Sequence, residues 1–367
     1  MMPNRIAYIV NVFPKLSETF IAGELAELRR CGIELRVLSL RQPKEALRHD
    51  FIDRAGLDEI TCYEAKRFEA VLREFRPQLL HSHFATEPTA AARELANELE
   101  LPFTFTAHGY DIRRKPPPDF AERAAAAQAV VTVSNANAGY ISRTFGVPPE
   151  HIEVIPCGVD TDRFRPAARQ GEEGQNRSSR ADASLIVTVA RHVQVKNLVL
   201  LLAACALLRD RGASFRCAMV GDGPLRNDLE KSRHRFGLEV IVEFTGALEQ
   251  SEVLKWWQQA TVAALTSHNE GMPVCLMEAA ACGVPAVATA VGGVPELVQH
   301  GFTGLLTRPG DAEALASALG TLLEDPPLAA RLGKTARKWA EKQFSVRRQV
   351  ESLRRLWARV LAGDMRR

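Results

Sequence analysis

A chain of 367 residues, 46% hydrophobic and 25% charged, has a globular composition and is too long for one ordinary core, so two domains are expected. A net charge of +3 is too small to argue for nucleic acid, and no such partner is expected. Seven cysteines at scattered spacings, with no CxxC pair, favour reduced thiols in the cytoplasm over a disulfide framework. The N-terminus runs into a strand pattern without a signal-peptide-like apolar region. No apolar run reaches the length of a membrane span, so any membrane contact is expected to be peripheral. The basic excess is uneven: 331–367 holds twelve Lys/Arg against three Asp/Glu.

Residues 5–12 read as a buried parallel strand, followed by a Phe-Pro-Lys-Leu turn in which Ser17 caps a helix from about Glu18 to Cys31, closed by Gly32. A second strand follows at Ile33–Leu40, and this βαβ places its first loop at the carboxyl edge of the sheet. Leu79–Phe84 reads as a strand with His81 and His83 on one face. With His108 these are candidate metal ligands, but no carboxylate or cysteine at ligand spacing joins them, and no metal is expected. Phe103–Ala107 is a buried strand ending in the polar corner His108-Gly109-Tyr110-Asp111. Ala129–Val133 is a strand leading to Ser134, which caps a helix through Phe145. Asp160-Thr161-Asp162 mimics a metal-binding DxD but follows a Pro-Cys-Gly turn rather than a strand, and reads as structural. The polar stretch 167–183 reads as an interdomain linker.

Leu185–Ala190 begins a second α/β region, and Arg191 and Lys196 follow in its loop. Two cations five apart beside a strand end suit a diphosphate. Gly221-Asp222-Gly223-Pro224 is a tight turn after a strand; as a dinucleotide fingerprint its lone GxG is weak. The stretch from Thr266 to Val298 is the most informative. It reads as a strand ending near Thr266, a polar turn, a helix opening at Pro273, a strand at Pro285–Ala290, and a Gly292-Gly293 turn into another helix. Such an arrangement gathers unpaired N–H groups where an anion can sit. Glu270 lies in the turn and Glu278 on the helix after it. N–H groups together with acids suit a ligand that has both phosphates and hydroxyls, such as a nucleotide sugar. A helix at Ala312–Leu323 is broken by Asp325-Pro326-Pro327. The last helix carries Val346, Val350, Leu353, Trp357 and Val360 as one apolar stripe with arginines beside it.

Glu270-Gly271-Met272-Pro273 through Glu278, then Ala-Cys-Gly-Val-Pro and Gly292-Gly293-Val-Pro-Glu-Leu-Val, resemble the donor-site signature of retaining GT-B glycosyltransferases of the group-1 type, family 4. Thr106-Ala-His108-Gly109-Tyr110-Asp111 is similar to that family's T-x-H-G-x-D element. Ile155-Pro-Cys157-Gly158-Val159-Asp160 is similar to its I-P-N-G-V-D turn, with Cys157 in place of asparagine. Arg191 and Lys196 fit its G-R-x-x-x-x-K-G element, with Ala190 and Asn197 replacing the glycines. Gly221-Asp222-Gly223-Pro224-Leu225 fits V-G-D-G-P-L. The opening Phe-Pro-Lys-Leu-Ser17-Glu18-Thr19-Phe-Ile resembles the exopolysaccharide and colanic-acid subgroup, without the Gly-Gly loop of many relatives.

The resemblance implies an α/β GT-B fold, two Rossmann-like doubly wound domains facing a central cleft. Residues 1–166 would be the acceptor side, with the helix of about 345–367 packing back on it, and 184–344 the nucleotide-sugar domain. In the implied mechanism Arg191 and Lys196 meet the charge of the leaving diphosphate, Glu270 accepts from sugar hydroxyls, Glu278 accepts from the ribose, and His108 orients the sugar. Gly271, Met272, Pro273, Val274, Gly221, Phe244, Thr245, Gly292 and Gly293 would line the donor. Ser17, Glu18, Thr19, His83, Tyr110 and Asp111 would lie on the acceptor side, where His83 reads either as lining the cleft or as a satisfied core histidine. The implied partners are a nucleotide-diphosphate sugar and a glycan or lipid-linked oligosaccharide acceptor, without cofactor or metal. The expected location is cytoplasmic, peripheral at the inner face of the plasma membrane if the basic flank of the last helix meets anionic lipid. A sugar-nucleotide epimerase, a sugar phosphorylase and a non-enzymatic carbohydrate-binding remnant are the alternatives.

Overall fold

The computed structural model describes residues 3–167 and 184–363. Of the expected linker, 168–183 lies outside the described residues. The chain divides into two units, one made of residues up to Gly158 together with those from Ser345 on, the other of Val159–Phe344. The expected boundary at 166 thus moves to 158. The reason is local: Phe164 is fully buried, and Arg337 donates to the carbonyls of Thr161 (2.9 Å) and Phe164, so 159–166 belong to the second unit.

The first unit is a seven-stranded sheet of β1 (Arg5–Val12), β2 (Glu34–Arg41), β3 (Thr61–Cys62), β4 (Leu79–His83), β5 (Phe103–Ala107), β6 (Ala129–Thr132) and β7 (Ile152–Val154). Their order is β3-β2-β1-β4-β5-β6-β7, and every neighbouring pair is parallel. Both faces are covered, as a parallel sheet requires, and the side chains of β1 alternate between two cores. Ile6, Tyr8 and Val10 pack on one side, and Ala7 and Ile9 on the other. The first of these cores also takes Ile21, Leu25 and Leu28 of the helix Thr19–Arg30, and Val350, Leu353, Trp357 and Val360 of the helix Val346–Ala362. Burying each large apolar side chain contributes roughly 1.5–3 kcal/mol. The apolar stripe of the last helix is therefore used inside its own unit. Gly158 sits where an added Cβ would lie 2.4 Å from the Val346 backbone, which explains a glycine in the Pro-Cys-Gly turn.

The second unit is a six-stranded sheet of β8 (Ser184–Val189), β9 (Phe215–Val220), β10 (Val242–Gly246), β11 (Val262–Leu265), β12 (Ala286–Thr289) and β13 (Gly304–Thr307). Their order is β10-β9-β8-β11-β12-β13, again all parallel. In each sheet the winding reverses once, between β1 and β4 and between β8 and β11. In doubly wound sheets the crevice beyond the strand ends at such a reversal is where ligands bind.

Two local expectations are corrected, and a third is extended. Ser17 is an exposed turn residue, not a cap; Glu18 holds the N-cap position of the helix Thr19–Arg30, without a side-chain cap bond. Pro273 is likewise the N-cap of the helix Val274–Ala281 rather than its first residue. Asp325 does end one helix, but its side chain also caps a further one, Pro326–Gln343, because proline in a first helical turn lacks only an N–H that has no partner there. Among the described residues, no helix is long and apolar enough to cross a membrane.

Candidate functional site

In the second unit the loops after β8 and β11 flank the reversal, and several bonds tie them together. Thr266 Oγ1 donates to the Lys196 carbonyl (2.9 Å), and the His268 N–H to the Val195 carbonyl (2.8 Å). Lys196 Nζ meets Glu270 Oε1 at 2.6 Å, and Ser267 Oγ donates to the same oxygen at 2.6 Å. Burial alone would lower the lysine pKa; the adjacent Glu270 carboxylate, with the Cys275 sulfur, outweighs it and raises the pKa above its ordinary value. Lys196 is thus a held, permanent cation. Arg191 is exposed. Asn197 has φ +45°, a left-handed conformation that asparagine tolerates better than most residues. That is how the turn survives without the expected glycine.

The Gly292-Gly293 turn docks on the Glu270 backbone. Gly293 N–H donates to the Glu270 carbonyl (3.1 Å), and a Cβ on Gly292 (φ +51°) would lie 1.9 Å from that oxygen. Gly221 packs similarly, its notional Cβ 2.0 Å from the Ala190 carbonyl, so the turn after β9 sits against the root of the Arg191 loop. Gly271 and Val274 are half-buried, while Met272 and Pro273 are buried beside Glu270. Glu278, one turn into its helix, accepts from Gln250 Nε2 (3.0 Å) and Trp257 Nε1 (3.4 Å). Burial pushes its carboxyl up to about 7, against the lowering effect of those two donors. Phe244, half-buried on β10 next to Thr245, has the Arg226 guanidinium 4.7 Å and that of Arg233 5.4 Å from its ring centre. The His192 ring stands edge-on to it at 5.7 Å. Both nitrogens of that ring are buried and lack a partner among the described residues. A buried polar atom without a partner costs roughly 1–3 kcal/mol, which suits a place completed by water or ligand.

In the first unit the ends of β4 and β5 carry a buried polar chain. His108 is 7% exposed, and His83, directly behind it, is 0% exposed, with His83 Nδ1 3.1 Å from His108 Nε2. His83 Nε2 lies 3.3 Å from Glu24 Oε1. The expectation that His83 lines a cleft is corrected: as an inward-facing residue of a parallel strand it touches other side chains, not solvent. Asp111 is also fully buried. Its carboxylate accepts the backbone N–H groups of Ala85 (2.7 Å) and His108 (2.9 Å), so it fastens the His108 corner and is not exposed to a ligand. Burial, opposed by these N–H groups, moves its carboxyl up to about 6. Tyr110 is 48% exposed. Glu18 pairs with Lys15 at 2.5 Å, and Thr19 opens the following helix.

Glu24, His81 and His83 form a group whose ligand atoms lie within 4.8 Å of one another. The absence of a carboxylate near these histidines, expected from spacing, is therefore corrected: Glu24 arrives from a helix distant in sequence. Their atoms already have partners, however. His81 bonds Thr104 (2.8 Å) and Thr106 (3.0 Å) through its two ring nitrogens, and Glu24 Oε1 accepts from the Tyr8 hydroxyl. The arrangement is a hydrogen-bonded core network. Sequence reasoning missed Glu24 and Gln349, although each interrupts an apolar helical stripe, a visible signal. It also missed Gln250, Trp257 and Ser267, polar partners that no motif marks.

Comparison with known proteins agrees with this geometry. Residues 170–339 match the family model described as glycosyl transferases group 1, and 17–163 that of glycosyltransferase family 4. The colanic acid biosynthesis glycosyltransferase WcaL of Escherichia coli is similar, 30% identical over 90% of this chain and 83% of that protein. Its Salmonella typhimurium counterpart is 30% identical over 95% and 99%. A GDP-mannose-dependent phosphatidylinositol monomannoside mannosyltransferase of Mycolicibacterium smegmatis is 34% identical, but the match spans only 58% of its length and 58% of this chain. Among solved structures, Anabaena HepE in complex with UDP-glucose aligns with a TM-score of 0.79 at 18% identity, covering 96% of this chain and 99% of that one. Sucrose-phosphate synthase from Thermosynechococcus elongatus aligns at 0.76 and 21%, covering 98% and 100%. At such identities the structural likeness speaks for the fold alone. The chain belongs to the group 1 glycosyltransferases, and its two parallel-sheet units are the Rossmann-like domains of the GT-B fold.

Proposed function

We propose that this glycosyltransferase moves a hexose, with retention of anomeric configuration, from a nucleotide-diphosphate sugar to a lipid-linked glycan acceptor during surface polysaccharide assembly. The observation that carries the donor half of this reading is the reversal of the second sheet. There a fixed lysine, an exposed arginine and glycine turns free of Cβ atoms surround one place. Breaking the anomeric C–O bond builds negative charge on the diphosphate, and cations held in position before reaction stabilise that charge without reorganising. Lys196, locked by Glu270, and Arg191 would do so without a metal ion. The half of the Glu270 carboxylate not used by Lys196 and Ser267 would accept from sugar hydroxyls. Glu278 would accept from the ribose, and Phe244, Thr245 and Gly221 would border the base. His108 would hydrogen-bond the sugar and, with Ser17, Thr19 and Tyr110, represent the acceptor-side unit.

The acceptor half is supported by kinship. The WcaL relatives are named for colanic acid biosynthesis and the mycobacterial relative for a phosphatidylinositol mannoside. A lipid-linked acceptor would bring the enzyme to the inner membrane face, where the arginines beside the buried stripe of the last helix would meet anionic headgroups.

Thermal-shift screening against UDP-, GDP- and ADP-sugars tests the donor. A ligand at 100 times its dissociation constant adds about 2.7 kcal/mol. Stabilisation by one class, followed by nucleotide release that depends on a glycan acceptor, is expected. Release that requires orthophosphate instead would replace transfer by phosphorolysis, and no stabilisation by any nucleotide would remove the donor site.

A further inference from the structure

We propose that Glu24 and His83 are positioning residues that fix the tautomer of His108, so that His108 keeps a proton on Nε2 and presents a bare Nδ1 as a hydrogen-bond acceptor.

One chain of contacts runs outward through the first unit to His108. Gln349, on the helix Val346–Ala362, accepts the Gly158 N–H through Oε1 at 2.7 Å. That bond orients its amide, leaving the nitrogen end to donate to Glu24 Oε2. Glu24 Oε1 accepts from the Tyr8 hydroxyl. Tyr8 remains a donor, since burial, and then the neighbouring Glu24 charge, raise its pKa well above the ordinary value. Tyr8 and Gln349 both donate to this carboxylate, and in the proposal the third contact, with His83 Nε2 at 3.3 Å, is likewise a donation from a nitrogen that carries hydrogen. Glu24 is 1% exposed and His83 0% exposed; His83 is taken in the proposal as the neutral ring, which holds one proton only. With that proton on Nε2, His83 Nδ1 is a lone pair. It faces His108 Nε2 at 3.1 Å, so the shared hydrogen belongs to His108.

The His108 ring is held on its other sides. Phe20 and Phe84 approach with ring centres at 4.8 and 4.6 Å. Its backbone N–H goes to Asp111 (2.9 Å) and its carbonyl accepts from Asn137 Nδ2 (3.2 Å). Burial, and then the adjacent His83, hold its pKa well below the ordinary histidine value, so the neutral ring persists at neutral pH. His81 takes no part, since both its nitrogens bond threonine hydroxyls. A hydroxyl of a bound sugar would therefore donate to His108 Nδ1, and this consequence alone rests on the proposed transferase site.

Imidazole nitrogen NMR on histidine-labelled full-length protein tests the tautomer without any substrate. The expected result at neutral pH is the Nε2–H form for both His83 and His108. In His83→Asn the amide oxygen stands near the former Nδ1, and His108 should keep its Nε2–H form. In His83→Gln the amide reaches toward Glu24 and leaves no acceptor beside His108, which should lose that single form. Glu24→Ala should unlock His83 and, through it, His108. The proposal is overturned if the unmodified protein shows His83 protonated on both nitrogens or His108 protonated on Nδ1, or if His83→Gln leaves the His108 tautomer unchanged. The first of these readings needs no variant to fold. An inactive protein with the expected tautomers would sink the transferase role of His108 and leave this inference standing.

Discussion

The ends of the two sheets solve opposite electrostatic problems. In the first unit the groups around the ends of β4 and β5 are buried and mutually bonded: His81, His83, Asp111 and Glu24 all have partners. In the second unit the loops beyond β8 and β11 hold one cation in an ion pair, leave Arg191 exposed, and bury the His192 ring nitrogens without a partner among the described residues. The first arrangement ties its histidines and carboxylates to one another and suits presenting one ring in one orientation. The second is incomplete by itself and suits a charged ligand. Polar groups that are satisfied internally give rigidity, whereas those left over are the ones a ligand can use.

The sharpest way to break this comparison is to remove the charges of the second unit. Arg191→Ala and Lys196→Ala are each expected to slow sugar transfer on the order of 100- to 1000-fold. They should differ in stability. Arg191→Ala should unfold like the parent, whereas Lys196→Ala leaves a buried Glu270 unpaired and should lose roughly 3 kcal/mol or more. Equal stability of the two, by denaturant titration, would mean that Lys196 is not held as described.

Glu278 gives the next largest effect. Its folded pKa of about 7 exceeds the unfolded value, so the folded protein binds this proton more tightly. Its contribution is full below about pH 4.5 and is lost as pH rises through about 7, up to roughly 3 kcal/mol. Glu278→Gln should flatten the stability profile across that window and, if the ribose is its partner, weaken nucleotide binding. An unaltered profile would place the titrating group elsewhere.

Gly292→Ala should cost about 1–2 kcal/mol from its left-handed backbone alone, and further through collision with the Glu270 carbonyl. Nucleotide affinity should fall with it; a variant that binds normally would show that this turn does not border the ligand. The smallest expected effect is that of a chelator. If Arg191 and Lys196 carry the charge of the leaving group, transfer should continue in EDTA at an unchanged rate, and loss restored by a divalent ion would reassign the charge stabilisation.

Much of the second unit was legible in the chain itself, because its candidate site is built from contiguous loops. Arg191 and Lys196 lie in one turn, and Glu270 through Glu278 in one loop and helix, so spacing alone placed them near a strand end. The first unit was legible only as strands. His83 and His108 stood out as residues, but their junction depends on the pairing of β4 with β5. The Glu24–Gln349 bond joins residues 325 positions apart. No periodicity reports such a contact: an acid within the apolar stripe marks Glu24 as unusual but does not name its partner.

The sequence by itself determined the alternating α/β pattern, the family motifs and the apolar stripe of the last helix, because these depend on neighbours within a few turns of chain. Only tertiary structure decided that residues 159–166 join the second unit, that Asp111 and His83 face inward, and that Glu24 stands behind His108. Those outcomes follow from which buried polar atoms find one another once the strands are in register, and a buried donor or acceptor must find its partner wherever in the chain that partner lies.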